Sequence, residues 1–162
     1  PGALSSRGGG ADGGVPMHQA APWQARLRRV MTFPNRAKAD DFLARVATPA
    51  LRQVAEELRS QGPSTTVESV TDESGRPGVM LTADLGGERS FCYRIQERVV
   101  PLPAYGRWAP KGDDVYSRLE VHLHDGGQGY DVFGYTHTQL IDDVLDQYER
   151  HLEFMRLQDS SD

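Results

Sequence analysis

His122 and His124 stand two residues apart in a stretch that alternates apolar and polar residues. On a β-strand both imidazoles would project from one face. Two imidazoles at that spacing can share a metal ion, but a stable site needs three or four converging ligands. The remaining histidines (His18, His137, His151) fall in a Gly-rich segment and in a helical one. The pair is therefore read as part of a solvated strand face, and no metal site is assigned. Cys92 is the single cysteine. A nucleophilic thiol needs a lowered pKa and a base beside it, and the sequence shows neither. Asp142, Asp143, Asp146 and Glu149 could in principle supply paired carboxylates for acid/base chemistry. Their spacing instead follows the polar side of an amphipathic helix, which predicts an acidic face turned to water. The pairs Gly86–Gly87 and Gly126–Gly127 form neither a dinucleotide fingerprint nor a phosphate loop and read as hairpin turns. Nothing here builds a catalytic centre or a cofactor site, so the sequence reads as a non-enzyme.

A different chemistry is written in WQARLRRVMTFP, where Trp23 precedes Arg26, Arg28 and Arg29. An aromatic anchor beside arginines suits an anionic bilayer surface, where each basic residue contributes on the order of 1 kcal/mol. It suits equally well a surface segment docked on the domain's own acidic face, and both readings stay open. The charge distribution favours some such contact. The chain carries 18 Lys and Arg against 23 Asp and Glu, a net −5, but the signs are segregated. Residues 13–39 hold five bases and no acid, whereas residues 139–162 hold seven acids and two bases. The acidic balance argues against a nucleic-acid partner.

These residues are positioned by one domain of ordinary size within 162 residues. A mean hydropathy of −0.56 and 38% hydrophobic residues leave part of the chain outside a core. Residues 1–22, rich in Gly and small polar residues, read as a flexible linker. The domain is expected over 23–157, with a disordered tail at 158–162. No apolar run reaches the ~18 residues that span a bilayer. The start at Pro1, with no basic-then-apolar leader, reads as a piece of something longer.

Within the domain, Asn35 is a candidate N-cap for a helix whose apolar stripe runs from Ala39 to Leu58. Pro49 interrupts it and predicts a kink or a recapped second helix. From Ser64 the period changes to two, giving STTVESVT, GVMLTADL, RSFCYRIQ, VYSRLEVHLH and a short last strand in YDVFGY. Thr136 and Gln139 have capping-box spacing before a final helix striped by Leu140, Ile141, Val144, Leu145, Tyr148, Leu152 and Met155. The expected class is α+β: an antiparallel sheet of about four to five strands with an N-terminal and a C-terminal helix on one face.

The stretch YDVFGYTHTQLIDDVLDQYERHLEFMRL resembles the C-terminal tail region of BetT-type members of the betaine/choline/carnitine transporter family, with DVLDQYERHLEF its most specific part. RLRRVMTFP, FLARVATPALRQVAEEL and GGQGYDV resemble the same region in the same order, so the likeness covers roughly residues 23 to 157. The resemblance implies the cytoplasmic regulatory domain of an osmoregulated choline transporter of the bacterial inner membrane. Its expected partners are the transmembrane part of the same protein, anionic lipid, and further copies of the chain. The substrate and ion sites would lie upstream, and no transport residue carries over. Two alternatives stand beside this reading. One is a small-osmolyte or ion-binding module using Tyr105, Trp108 and Tyr116 for cation–π contacts. The other is a subunit-assembly domain.

Overall fold

The computed structural model describes residues 22–86, 90–104, 114–123 and 129–160. The chain divides into two compact units, the first ending at Thr32 and the second beginning at Phe33.

The described part of the first unit is helix α1, Pro22–Val30. Proline suits a first turn, where its missing N–H would be unpaired in any case. At the other end the Met31 N–H donates to the Leu27 carbonyl, and the Thr32 hydroxyl donates to the Arg28 carbonyl at 2.6 Å. Arg28 and Arg29 occupy the last turn, where cations oppose the negative end of the helix dipole.

The second unit opens with a helical rod in three parts: α2, Arg36–Phe42; a π turn, Leu43–Ala47; and α3, Thr48–Gln61. Asn35 caps it as expected, its side chain accepting from the Lys38 N–H at 2.9 Å. Pro49 neither breaks the rod nor starts a new helix. The Thr48 N–H reaches back five residues to the Leu43 carbonyl, and the junction residues keep right-handed helical dihedrals. One widened turn just before Pro49 absorbs the missing N–H and makes room for the ring, so the apolar stripe passes through unbroken. Gly62, at φ 130°, ends the rod in a conformation open to glycine.

Four strands follow in a meander: β1, Ser64–Thr71; β2, Pro77–Asp84; β3, Ser90–Pro101; β4, Val115–Leu123. All pair antiparallel in the order β1-β2-β3-β4. Asp72 shapes the first turn by accepting from the Ser74 and Arg76 N–H groups. The register puts Thr65, Ala83 and Phe91 in one row, Val67, Leu81, Tyr93 and Leu123 in the next, and Ser69, Val79, Ile95 and Val121 in a third. These rows form the inner face, with its central members fully buried. The expected last strand is a single bridge, Asp131 beside Glu120. Backbone bonds run from the Val121 N–H to the Tyr130 carbonyl at 3.0 Å and from the Val132 N–H to the Leu119 carbonyl at 2.9 Å, and the Asp131 side chain adds to them by accepting from the Leu119 and Phe133 N–H groups, both at 3.0 Å.

Helix α4, His137–Ser160, carries the expected capping box: the Gln139 N–H donates to the Thr136 hydroxyl and the Thr136 N–H to the Gln139 side chain. It continues through Ser160, so residues 158–160, expected as tail, are helical; the other two tail residues lie outside the described ones. α3 packs on β1 and β2, α4 on β3 and the π turn, and α2 on β4. The helices thus share one side of the sheet, over a core that includes Leu43, Leu51, Leu81, Tyr93, Ile95 and Leu140.

Candidate functional site

The basic aromatic segment folds as α1, and its apolar residues form a stripe. Trp23, Leu27, Val30 and Met31 recur at helical spacing, yet they are 64%, 52%, 55% and 43% exposed. No residue of α1 is buried. Arg26 and Arg28 are exposed and Arg29 half-exposed, so an uncovered apolar stripe runs beside three guanidinium groups.

The acidic face of α4 is split. Asp142, Asp146 and Glu149 are exposed, as their spacing predicts. Asp143 is not. Its Oδ2 accepts from the Tyr93 hydroxyl at 2.6 Å and from the Tyr130 hydroxyl at 2.5 Å, and Gln147 in turn donates to the Tyr130 oxygen. The Tyr93 phenol is pushed far up, first by burial and then by the Asp143 carboxyl, and the Tyr130 phenol rises for the same reasons. Both phenols therefore stay protonated as donors, and Asp143 ties α4 to the sheet. Its helical phase lies on the turn between the apolar stripe and the polar face, which is why spacing alone assigned it to water.

The outer face of the sheet also departs from a simple solvated surface. Glu120 is 3% exposed. Arg98 reaches it at 3.5 Å, Arg118 at 3.4 Å and His122 at 3.6 Å. His122 thus faces a carboxylate, while His124 lies outside the described residues. Among the described residues no group of three or more His, Cys, Asp or Glu is placed to hold a metal ion. Cys92 is half-buried opposite Thr82 of β2. Tyr116 packs edge-on against Phe33 with ring centroids 5.0 Å apart, a packing contact, and Tyr105 and Trp108 lie outside the described residues.

Glu97 is a site residue that sequence reading passed over. It continues the inward phase of Phe91, Tyr93 and Ile95, and its side chain is fully buried, with Arg76 3.3 Å away. Its carboxyl is pushed up to about 7, by burial first and then by the Asp40 carboxyl, against the opposing pull of Arg76 and Arg36. The signal was available, since a carboxylate in the inward phase of a strand requires a partner.

Two concavities are lined by described residues. A polar one of about 450 Å³ opens beside the β1–β2 turn, lined by Arg76, Gln96, Arg98, Glu120 and His122 among others. A second, of about 370 Å³, is an apolar groove between α3 and α4, walled by Val54, Glu57 and Leu58 on one side and Ile141, Leu145 and Tyr148 on the other. At one end His137 of α4 meets Gln53 of α3 at 2.7 Å. Leu145, in its wall, is 42% exposed.

The described residues thus present an acidic, groove-bearing helical layer and an exposed basic helix. The chain is 36% identical over 137 residues to the high-affinity choline transport protein of Escherichia coli, a match that covers 83% of this chain. It is 35% identical over 137 residues to the osmo-dependent choline transporter BetT2 of Acinetobacter baylyi, and 31% identical over 136 residues to a glycine betaine transporter of the same organism. This chain is related to one segment of the BetT-type choline and glycine betaine transporters. It spans about 20% of the length of each of those relatives. No family model matches it. No helix among the described residues is long and apolar enough to cross a membrane.

Proposed function

We propose that this chain is the C-terminal regulatory domain of an osmoregulated choline transporter, held on the cytoplasmic side of the bacterial inner membrane, where it adjusts choline uptake to osmolarity. The observation that carries this reading is α1, an exposed apolar stripe flanked by Arg26, Arg28 and Arg29. Such a helix has two kinds of surface to dock on: anionic lipid beside the transmembrane part, or an acidic protein face such as that formed by Asp142, Asp146 and Glu149. The osmo-dependence in the name of the BetT2 relative supports a link to osmolarity.

The physics of the switch is screening. Three arginines near an anionic surface contribute roughly 3 kcal/mol together. The Debye length is about 8 Å at physiological ionic strength and shortens as salt rises, which weakens exposed contacts of this kind. Losing most of that energy shifts a two-state docking equilibrium by on the order of a hundredfold, enough to exchange the dominant state. Docking must stabilise one transport state over the other for this to matter.

The test is choline uptake by the whole transporter and by a form ending before Trp23, across a series of external osmolarities. The expected result is preserved basal uptake with a flattened osmotic response. Charge reversal at Arg26, Arg28 and Arg29 should reproduce much of that flattening. An osmotic response that survives both changes would overturn the reading.

A further inference from the structure

We propose that the polar concavity beside the β1–β2 turn binds the oxyanion of a small soluble molecule, a carboxylate or phosphate group held by the guanidinium groups of Arg76 and Arg98 with His122 beside them. The site lies wholly within the second unit, so it stands apart from the regulatory reading, which rests on α1.

The sheet and its first turn build the site. Gln96 of β3 and Glu120 of β4 are register partners, 6% and 3% exposed. The Gln96 amide donates to the Arg76 and Pro77 carbonyls, both at 3.0 Å, and so ties the turn to β3. Asp72 closes the same turn by accepting from the Arg76 N–H at 2.8 Å. Gly78 leaves room for this arrangement, since a Cβ there would stand 2.8 Å from Gln96 Oε1. Arg76 is thereby fixed beside a concavity of about 450 Å³ that Arg98 and His122 also line. That volume falls within the range of small-molecule sites.

The cations are oriented there without being saturated. Arg76 stands 3.3 Å from the Glu97 carboxyl, and Arg98 and His122 stand 3.5 and 3.6 Å from Glu120. Charge-assisted N–H···O bonds close to about 2.7–2.9 Å, so these are loose approaches. A guanidinium has several N–H donors, and the Arg98 side chain is 65% exposed. The acids nearby are engaged. Asp72 accepts from the Ser74 and Arg76 N–H groups, and Glu120 is shared among Arg98, Arg118 and His122. The Glu97 carboxyl, pushed up to about 7 by burial first, carries its charge only part of the time near neutral pH. Arg94 adds a further guanidinium behind Gln96. The result is a local surplus of positive charge in a chain whose net charge is −5, which points to an anion. Forked guanidinium groups match carboxylate and phosphate oxygens. Among the described residues no Phe, Tyr or Trp lines the cavity, so it has no ring face to favour a quaternary ammonium ion.

The test titrates the 162-residue chain with inorganic phosphate and with succinate at constant ionic strength, followed by calorimetry and by amide chemical shifts. At least one probe should bind saturably with a dissociation constant of about 1 mM or tighter, and the shift changes should centre on Arg76, Arg98 and His122. Arg98→Gln and Arg76→Gln should each weaken binding about tenfold. Arg98→Lys, which keeps the charge but loses the fork, should weaken it about threefold. Arg45→Gln, at an exposed arginine of the π turn, should leave it unchanged. Circular dichroism checks that each variant stays folded. Absence of saturation by both probes up to about 20 mM overturns the proposal. So does an Arg45→Gln effect equal to that of Arg98→Gln, which would mark plain charge screening. Binding seen only with phosphatidylglycerol vesicles overturns it as well, since the anion would then be a lipid headgroup. Failure of the uptake experiment would leave this anion site in place, and loss of the site would leave the uptake result in place, so the two readings fail separately.

Discussion

Replacing Asp143 by Ala separates an acid that holds the fold from acids that only decorate a surface. Tyr93 is completely buried and Tyr130 half-buried, and both donate to the same Asp143 oxygen. Without that acceptor the Tyr93 hydroxyl loses the carboxylate it donates to in the interior, while Tyr130 keeps its contact with Gln147. A buried donor left unpaired costs about 1–3 kcal/mol, and the second, more exposed phenol adds less, so the expected loss is roughly 2–4 kcal/mol. For a domain of this size each kcal/mol moves the midpoint by roughly 3–6 °C, which makes the expected fall about 10 °C or more. Asp143→Asn keeps an acceptor and should lose only about 1 kcal/mol. Asp142→Ala, one position away and exposed, should stay within about 0.5 kcal/mol of the parent. Thermal and urea unfolding of the three variants provide the assay. In a double-mutant cycle, Tyr93→Phe should remove most of the penalty of Asp143→Ala, since no phenol is then left stranded. Equal midpoints for Asp143→Ala and Asp142→Ala would refute the reasoning and return Asp143 to the water-facing side of the helix.

Two further outcomes follow from buried groups. Because the Glu97 carboxyl is pushed up to about 7 from an ordinary 4.5, the folded state holds its proton more tightly than the unfolded chain. Its contribution is fully present below the unfolded value and is lost as pH rises through the folded one, so urea midpoints should fall between about pH 4.5 and 7, and Glu97→Gln should flatten that slope. Gly78→Ala should destabilise the sheet by about 1–3 kcal/mol in the same assay, because a Cβ there would meet the Ile95 carbonyl oxygen at 2.7 Å and Gln96 Oε1 at 2.8 Å.

The sequence was most legible where one signal dominated. Alternation placed Val79, Leu81, Ala83, Phe91, Tyr93 and Ile95 on one face, and the register confirms it, because a half-buried strand leaves only one phase to bury. Asn35, Thr136 and Gln139 were legible as caps because orphan N–H groups admit few partners. What escaped were places where one residue serves two demands. Pro49 argued for a kink or a recapped helix, and the chain meets it with a π turn that keeps the stripe continuous. The segment around Asp131 pairs with β4 over only a few residues, where the Asp131 side chain also takes two N–H groups. Glu120 and Glu97 went unmarked because Arg98 and Arg76, which reach them, lie on other segments of the chain. Of the residues singled out for contact, Trp23, Arg26, Arg28, Asp142, Asp146 and Glu149 are exposed, whereas Asp143 serves the interior. The groove was invisible in the sequence, since it exists only where α3 and α4 pass each other.

This division between interior and exposed charge bears on how such a domain could sense ionic strength at all. Screening acts on charges in water and only weakly on buried pairs. Beside its apolar core, the second unit relies on polar contacts with buried members: Asp143 with its two tyrosines, the Glu97 carboxyl beside Arg76, and Glu120 beside Arg118. The exposed Arg45–Asp41 pair, at 2.8 Å within one helix, contributes only about 0.3–0.5 kcal/mol. Rising salt therefore leaves the fold nearly untouched. The arginines of α1 and the outer acids of α4 are of the first kind, and any contact between such surfaces loses strength over the same salt range. On the regulatory reading proposed above, the responding element would change its partner without unfolding, and exposed charges on a fold held by buried contacts are suited to that.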